Sequence, residues 1–518
     1  MVVVQASKLN LTNPAFSLPS SSSPQISSLL FEPTSLSLAL MHSDSSLSLY
    51  PSSSPLYISS LPPPQTLIPP PSSSSTFLLL RPQNPNPNLN PTNGSSPRVL
   101  FIVGGPHSGG SRVLLRFYAL WRDNKGFTRA RVVGNHRGIE FDQKLGVFLN
   151  VNHGISIKIA GSINFFTLYS VSSSKIWVFG VKLLDEGDTD GGVVTVKLIK
   201  CAVIECSRPV WSISVSCGFL IFGEENGVRV WSLRNLVKGK VRKMKSHISL
   251  NGKLEGKGMR LPNGVTMDSV HGRGSNSEIG SNGHLDSKTG KQGVSVKWRS
   301  AKYRQESSEG GSCFVAFKEE IVNLKSKTWP LMSLKAISTQ ALSPKQFLIL
   351  DSAGDLHILH VANAVSGSSM TCSMRQLPHI MEVQKLVVLP EISLRAQTFW
   401  VMDAFYSLHM VALREGDAIV NENGGNEREE KPMQISVVQA IFAAEKIQDA
   451  VPIAGNGILI LGQDNHDRSR ASQSQQLNTA SAAYHTFPEL QGECAADVWI
   501  CCSVHSLKRG AKSAAYLC

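Results

Sequence analysis

The stretch Pro209-Val-Trp-Ser-Ile-Ser-Val-Ser-Cys-Gly-Phe-Leu-Ile-Phe-Gly-Glu-Glu-Asn-Gly-Val-Arg-Val-Trp-Ser-Leu233 decides the fold. It reads as an alternating strand, a short turn, an apolar strand, a polar turn and a strand that ends in an aromatic. Asn226-Gly227 is a tight-hairpin signal, because both central residues of such a turn need positive φ. Three strands of this kind form a small antiparallel sheet. That sheet cannot bury both of its faces alone, so copies must stack.

Working outward, six more stretches carry the same period-2 rhythm, bounded by Gly, Asn, Asp and Ser. The first unit is Ile26–Phe31, Ser37–Met41 and Ser46–Tyr50. The second is Arg98–Val103 and Arg112–Leu120. The third is Leu145–Val151, Ile155–Ile159, Phe165–Ser170 and Lys175–Phe179. The fourth is the quoted copy, preceded by Val193–Cys201. The fifth is Leu334–Ser338, Gln346–Leu350 and Asp355–His360. The sixth is Val383–Leu389, Thr398–Met402 and Ser407–Val411, and the seventh Ser436–Phe442, Asp449–Ile453 and Gly457–Leu461. Turn centres fall near residues 44, 108, 173, 226, 353, 404 and 464. One gap is about twice the others, and taking out a basic segment restores a period that suits four-stranded blades of ~40–45 residues plus loops.

These residues resemble a divergent WD40-repeat-like (transducin-type) β-propeller. The best match is in the fourth unit. There the family's apolar strand is Phe219–Phe222, its acidic-Asn-Gly turn is Glu224–Gly227, and its closing strand is Val228–Trp231. Trp231-Ser232 stands where the family has Trp-Asp. The aromatic position is Tyr50, Tyr118 or Phe179 in other units, and is lost at His360 and Val411. The family's Gly-His dipeptide is absent from the units, so its internal hydrogen-bonded network is not expected. The resemblance implies an all-β fold: a single propeller of about seven degenerate four-stranded blades. It also implies a rigid ring that binds macromolecules without catalysis. Such rings close by pairing strands from the two termini. Both Met1–Leu11 and Asp497–His505 can serve, and the N-terminal strand is preferred.

The expected organisation is an N-terminal strand and first blade over 1–50, then a Pro/Ser/Asn-rich disordered loop over 51–97. Blades two to four occupy 98–234. A basic flexible insertion follows over 235–311, blades five to seven over 312–463, and an atypical, mostly disordered tail over 464–518.

Composition narrows the function classes. The chain has 518 residues, is 42% hydrophobic, and carries a formal net charge of +13. Sixteen Lys/Arg against four Asp/Glu lie within residues 234–305, so one segment holds nearly the whole excess and the rest is close to neutral. No uninterrupted apolar run of ~18 residues exists, so no membrane span is expected. The nine cysteines show no disulfide framework, which points to a reducing compartment. The first residues are Ser-rich and nearly free of acids, which keeps a plastid address as the alternative to a nuclear one.

The candidate chemical motifs read as structural. Gly104–Gly110 lacks the Gly-Lys-Ser/Thr ending of a phosphate loop, and a strand rather than a helix follows it. Asp185–Gly192 gathers oxygen ligands but lacks the bidentate Glu of a calcium loop. Cys201, Cys206 and Cys217 have no zinc-site spacing and read as buried apolar residues, while Cys501-Cys502 is open. His357 and His360 differ by three strand positions and so face opposite sides. Neither a Gly-x-Ser-x-Gly elbow nor a His-Glu-x-x-His motif occurs. No catalytic residue, cofactor or metal is therefore expected. The functional candidates are Lys238, Lys240, Arg242, Lys243 and Lys245, with Lys297, Arg299, Lys302 and Arg304. Such clusters act as import signals or nucleic-acid contacts, and Trp298 and Tyr303 are interleaved with the second. Two functions follow: a protein-interaction scaffold in a nuclear or nucleocytoplasmic complex, and direct RNA or DNA binding through 238–304. Other proteins are the expected partners.

Overall fold

A computed structural model describes residues 3–11, 24–51, 60–61, 65–81, 98–120, 126–184, 193–238, 307–308, 312–317, 333–362, 370–389, 398–403, 406–415, 433–443, 445–454, 457–463 and 498–504. Among them are seven mainly antiparallel sheets of four to six strands. Six are built locally, and one is assembled from both ends of the chain.

From its inner to its outer edge, blade 1 comprises Ile26–Glu32, Ser37–His42, Leu47–Tyr50 and Thr66–Ile68. Blade 2 comprises Ser74–Leu80, Arg98–His107, Arg112–Leu120, Gly146–Leu149 and Ile139–Asp142, and Phe127–Arg129 pairs the far half of Arg112–Leu120. Blade 3 comprises Ile157–Gly161, Phe165–Ser170, Lys175–Leu183 and Thr195–Glu205, with Arg131–Val133 parallel to the last. Blade 4 comprises Ser212–Ser216, Phe219–Glu224, Gly227–Ser232 and Ser312–Ala316, with the short Ser307–Ser308 outside it. Blade 5 comprises Ala336–Ser343, Gln346–Asp351, Leu356–Ala362 and Thr371–Gln376. Blade 6 comprises Lys385–Val387, Thr398–Met402, Ser407–Glu415 and Met433–Phe442. The closing sheet comprises Lys446–Ala454, Gly457–Gln463, Val498–Val504 and Val3–Leu11, and Ser60–Leu61 runs parallel to the last of these.

The inner strands meet in a circle. Ile26–Glu32 touches Ser74–Leu80, which touches Ile157–Gly161, and the contacts continue through Ser212–Ser216, Ala336–Ser343 and Lys385–Val387 to Lys446–Ala454. That strand returns to Ile26–Glu32. The fold is a β-propeller.

The core is a set of layers, each shared by two neighbouring blades. Phe219 and Ile221 pack toward blade 5 with Phe347 and Ile349. Leu220 and Phe222, on the opposite face of the same strand, pack toward blade 3 with Tyr169 and Val178. A strand covered on both faces has no polar side to show, which is why Phe-Leu-Ile-Phe is continuously apolar. Leu348 and Val401 fill the layer between blades 5 and 6. Leu29 and Leu459 do so between blade 1 and the closing sheet.

Several sequence expectations need correction. Repeat and sheet are out of phase by one strand. Gly146–Leu149, Thr195–Glu205 and Met433–Phe442, which open the third, fourth and seventh sequence units, are outer strands of blades 2, 3 and 6. The outer strand of one sheet directly precedes the inner strand of the next, so the two occur together in sequence. The 51–97 stretch is not wholly a loop: Thr66–Ile68 is the outer strand of blade 1, and Ser74–Leu80 is the inner strand of blade 2. Ile68, Leu78 and Leu80 are buried there, and Pro69–Pro71 between the two strands conceals them. The tail likewise contains Val498–Val504, which pairs with Gly457–Gln463 on one edge and with Val3–Leu11 on the other. Both termini therefore close the ring, whereas the sequence reading preferred the N-terminal strand alone.

Candidate functional site

The radial sheets leave the inner edge of each blade toward the axis, and an unpaired strand edge must find partners for its backbone groups. Short polar side chains of one blade supply them to the next. Between blades 2 and 3, Ser74 Oγ accepts the N–H of Ile159 at 2.9 Å and Thr76 Oγ1 that of Gly161 at 3.1 Å. Between blades 3 and 4, Lys158 Nζ donates to the Trp211 carbonyl at 2.5 Å, and burial holds its ammonium below the ordinary lysine range. Between blades 4 and 5, Ser212 Oγ donates to the Ala336 carbonyl at 2.8 Å. Between blades 5 and 6, the Gln340 amide donates to the Leu386 carbonyl at 3.1 Å and accepts the Val388 N–H at 3.4 Å. Asp449 ties three blades: it pairs with Lys385 of blade 6 and accepts the Leu29 N–H of blade 1 at 2.8 Å. Blades 1 and 2 are joined by Thr66 Oγ1, which donates to the Phe127 carbonyl at 2.9 Å.

Residues of the inner strands of blades 1 to 5 line a cavity of ≈ 570 Å³. Phe31, Phe77 and Leu79 give it an apolar wall and Arg81 an exposed cation, while Thr339 and Gln340 line it with side chains already bonded to Ser212 and to blade 6. Glu32 also lines it, but its carboxylate accepts the N–H groups of Thr34 and Ser35 and so shapes the adjoining turn. This lining suits recognition of a surface group. It presents no acid–base pair near a nucleophile.

A second set of polar contacts sits at the turn between the second and third strands of several blades. Asp351 is 1% exposed; its Oδ1 accepts the N–H groups of Ala353 and Asp355, and its Oδ2 bonds His357 Nε2 at 2.9 Å. In blade 6, Asp403 accepts from the amide and hydroxyl of Ser407, whose Oγ also bonds His409 Nε2. In blade 4, Arg229 Nε donates to Glu224 Oε1 at 2.9 Å. In blade 1, His42 Nε2 bonds Ser48 Oγ at 2.8 Å. Burial pushes His409 and His42 below the ordinary histidine range, against the opposing pull of Asp403 and Asp44. In blades 4, 5 and 6 the sequence signal was an acidic residue followed five or six positions later by Arg or His, across a hairpin; the blade 1 pair carries no such signal.

The motifs read as structural take these places. Gly104–Gly110 lies at the end of Arg98–His107 and in the single 3₁₀ turn Ser108–Gly110 before Arg112–Leu120, which is too short to offer a helix N-terminus to an anion. His357 is buried against Asp351, while His360 lies on the opposite face of the strand. Cys201, Cys206 and Cys217 are partly buried and in no disulfide, and burial raises Cys206 to about 12. No group of three metal-ligating side chains occurs among the described residues. Of the basic candidates, Lys238 is exposed at the C-terminal end of the short helix Leu233–Val237. Lys240, Arg242, Lys243, Lys245, Lys297, Arg299, Lys302 and Arg304 lie outside the described residues, as does Asp185–Gly192.

No protein-family model matches the chain, and no curated protein does. Similar solved structures include the WD40 repeats of RRP9, 8% identical with a TM-score of 0.39, covering 97% of this chain and 100% of that one. U3-55K is 8% identical with a TM-score of 0.37, covering 93% and 97%. The β-propeller domain of Myceliophteria thermophila Cps50 (Swd1) is 8% identical with a TM-score of 0.38, covering 85% and 95%. The propeller assignment rests on this chain's own strand pairing and ring of contacts.

Proposed function

We propose that this chain is a non-enzymatic interaction scaffold that assembles partner proteins in a nuclear or nucleocytoplasmic complex. The observation that carries the reading is the commitment of the inner-strand polar groups to ties between blades. What is left for partners is the turn faces, the cavity lined by the inner strands and the basic segment that runs between the third and fourth strands of blade 4. In this reading the segment, residues 235–311, is an import signal or docking arm built on Lys238–Lys245. Affinity purification of the full chain followed by mass spectrometry is expected to recover a reproducible set of proteins, and recovery of none removes the scaffold role. Deleting Lys238–Lys245 from a fluorescent fusion is expected to lower its nuclear share. An unchanged distribution, or accumulation of the intact fusion in plastids, removes the nuclear part.

Direct RNA or DNA binding is the second reading, supported by the Trp298 and Tyr303 rings set among Lys297, Arg299, Lys302 and Arg304. It requires affinity for a polynucleotide that falls steeply with salt and is lost when these cations are neutralised. A flat titration at low salt eliminates it.

A further inference from the structure

The outer strands of blades 4 and 5 each carry one cysteine. Cys313 stands opposite Val230 in blade 4, and Cys372 opposite Val361 in blade 5. Residues directly across a ladder share a sheet face. Val230 and Val361 are both buried in the apolar layer between these blades, so the two cysteines project into that layer from its two sides. Cys313 is 2% exposed and Cys372 is partly exposed. Both are free thiols, and the strands that carry them, Ser312–Ala316 and Thr371–Gln376, lie against each other across the layer. We propose that Cys313 and Cys372 are a redox pair that closes to a reversible disulfide in the presence of a peroxide, stapling blade 4 to blade 5.

The surroundings divide the roles. A hydrogen bond from Cys372, with support from its backbone amide and the Arg229 guanidinium, holds the Cys313 thiol below its ordinary range despite burial. The same bond, together with burial, pushes Cys372 up. Cys313, on which the thiolate charge is favoured, attacks the peroxide oxygen when the outer strands part locally to admit it, since the cysteine is 2% exposed in the closed layer. The peroxide bond breaks, one oxygen leaves as water after protonation, and Cys313 becomes a sulfenic acid. Cys372 sulfur then attacks the Cys313 sulfur and loses its proton, and the sulfenic oxygen leaves as a second water. Two thiols and one hydrogen peroxide give one disulfide and two waters. A pair of this kind suits a reducing compartment, where disulfides are transient rather than structural. Ser312–Ala316 follows the basic segment in the chain, so the staple fixes a strand that joins that segment to the ring.

The test uses the full chain, reduced and then exposed to stoichiometric hydrogen peroxide. Free thiols are then blocked and the peptides mapped, with the other seven cysteines as internal controls. The expected product is a cross-linked Cys313–Cys372 peptide, lighter than its two parts by two hydrogens and separated again by dithiothreitol. The oxidised chain should melt about 5 °C above the reduced one, because a closed loop restricts the unfolded state. Cys372→Ser should abolish both effects. Should that variant fail to fold, the wild-type map decides alone. Sulfinic acid on Cys313 without a cross-link, pairing with other cysteines, or a disulfide that leaves the melting point unmoved overturns the proposal.

Discussion

Asp449 accepts the backbone N–H of Leu29 at 2.8 Å, a contact between residues 420 positions apart. The same carboxylate pairs with Lys385. One 5%-exposed side chain thus joins blade 6, the closing sheet and blade 1 at the seam of the ring. Replacing Asp449 by Ala removes both of these bonds and the one from the Ala450 amide, and leaves a partly buried ammonium and two amides without that acceptor. The expected loss is about 3 kcal/mol, read as a lower midpoint in chemical unfolding. Asp449→Asn keeps an acceptor for Leu29 and should lose less. Equal midpoints for Asp449→Ala and the parent would mean that the seam is held by strand pairing and packing alone.

The closing sheet makes a stronger demand. Without Val498–Val504, Gly457–Gln463 loses the ladder on its outer edge and Val3–Leu11 its only antiparallel partner among the described residues, since that strand lies between them. Truncation before Val498 should therefore give a chain that limited proteolysis degrades far faster than the parent. Removing residues 1–11 bares one edge instead of two and should be milder. The reverse order of sensitivity would contradict the strand order.

Two glycines separate close approach from backbone conformation. A Cβ on Gly223 would lie 2.1 Å from the Ala336 carbonyl oxygen of the next blade, so Gly223→Ala must push two blades apart. A cost of about 3 kcal/mol is expected. At Gly109 the backbone has φ +66° and nothing lies within 4 Å of an added Cβ. Gly109→Ala should cost only about 1 kcal/mol, from conformation alone. Thermal melts of the two variants side by side measure the difference.

Acid sensitivity should come in part from His42 and His409. Burial lowers both below their unfolded value, so the unfolded chain binds more protons than the folded one beneath about pH 6.5. The stability they contribute is complete above that pH and is lost as the pH falls through the lower, folded values. Melting points taken from pH 7.5 to 5 should decline, and His42→Gln with His409→Gln should flatten the decline. A double variant with the parent's slope would place the acid response elsewhere.

Much of the fold was legible because strand rhythm is a local property. Phe219–Phe222 is apolar at every position because each face meets a different blade. The hairpin after it is where the sequence placed it, but its central residues are Glu225 and Asn226 rather than Asn226 and Gly227, since Glu224 pairs with Gly227, and only Asn226 of the two is left-handed, with φ 62°. The inner strand Ser74–Leu80 was harder to see: Ser74 and Thr76 look like loop residues, yet their hydroxyls are the ties to blade 3. The hairpin pairs Asp351–His357 and Glu224–Arg229 were hard to see for a related reason. A polar pair across a hairpin has no fixed residue type, only a requirement that a buried donor meet an acceptor.

The order of residues along the chain determined, without help, that the protein is made of short strands in repeated small sheets, and that those sheets must cover one another. It also determined where the charge sits. Only the tertiary structure decided which sheet each strand joins, that both termini complete the last sheet, and that Asp449 and Gln340 hold the seams. It alone brought the strands of Cys313 and Cys372 together. The physical reason is that side-chain alternation reports which faces are buried. Edge pairing runs through backbone groups that every residue carries, and so leaves no mark in composition.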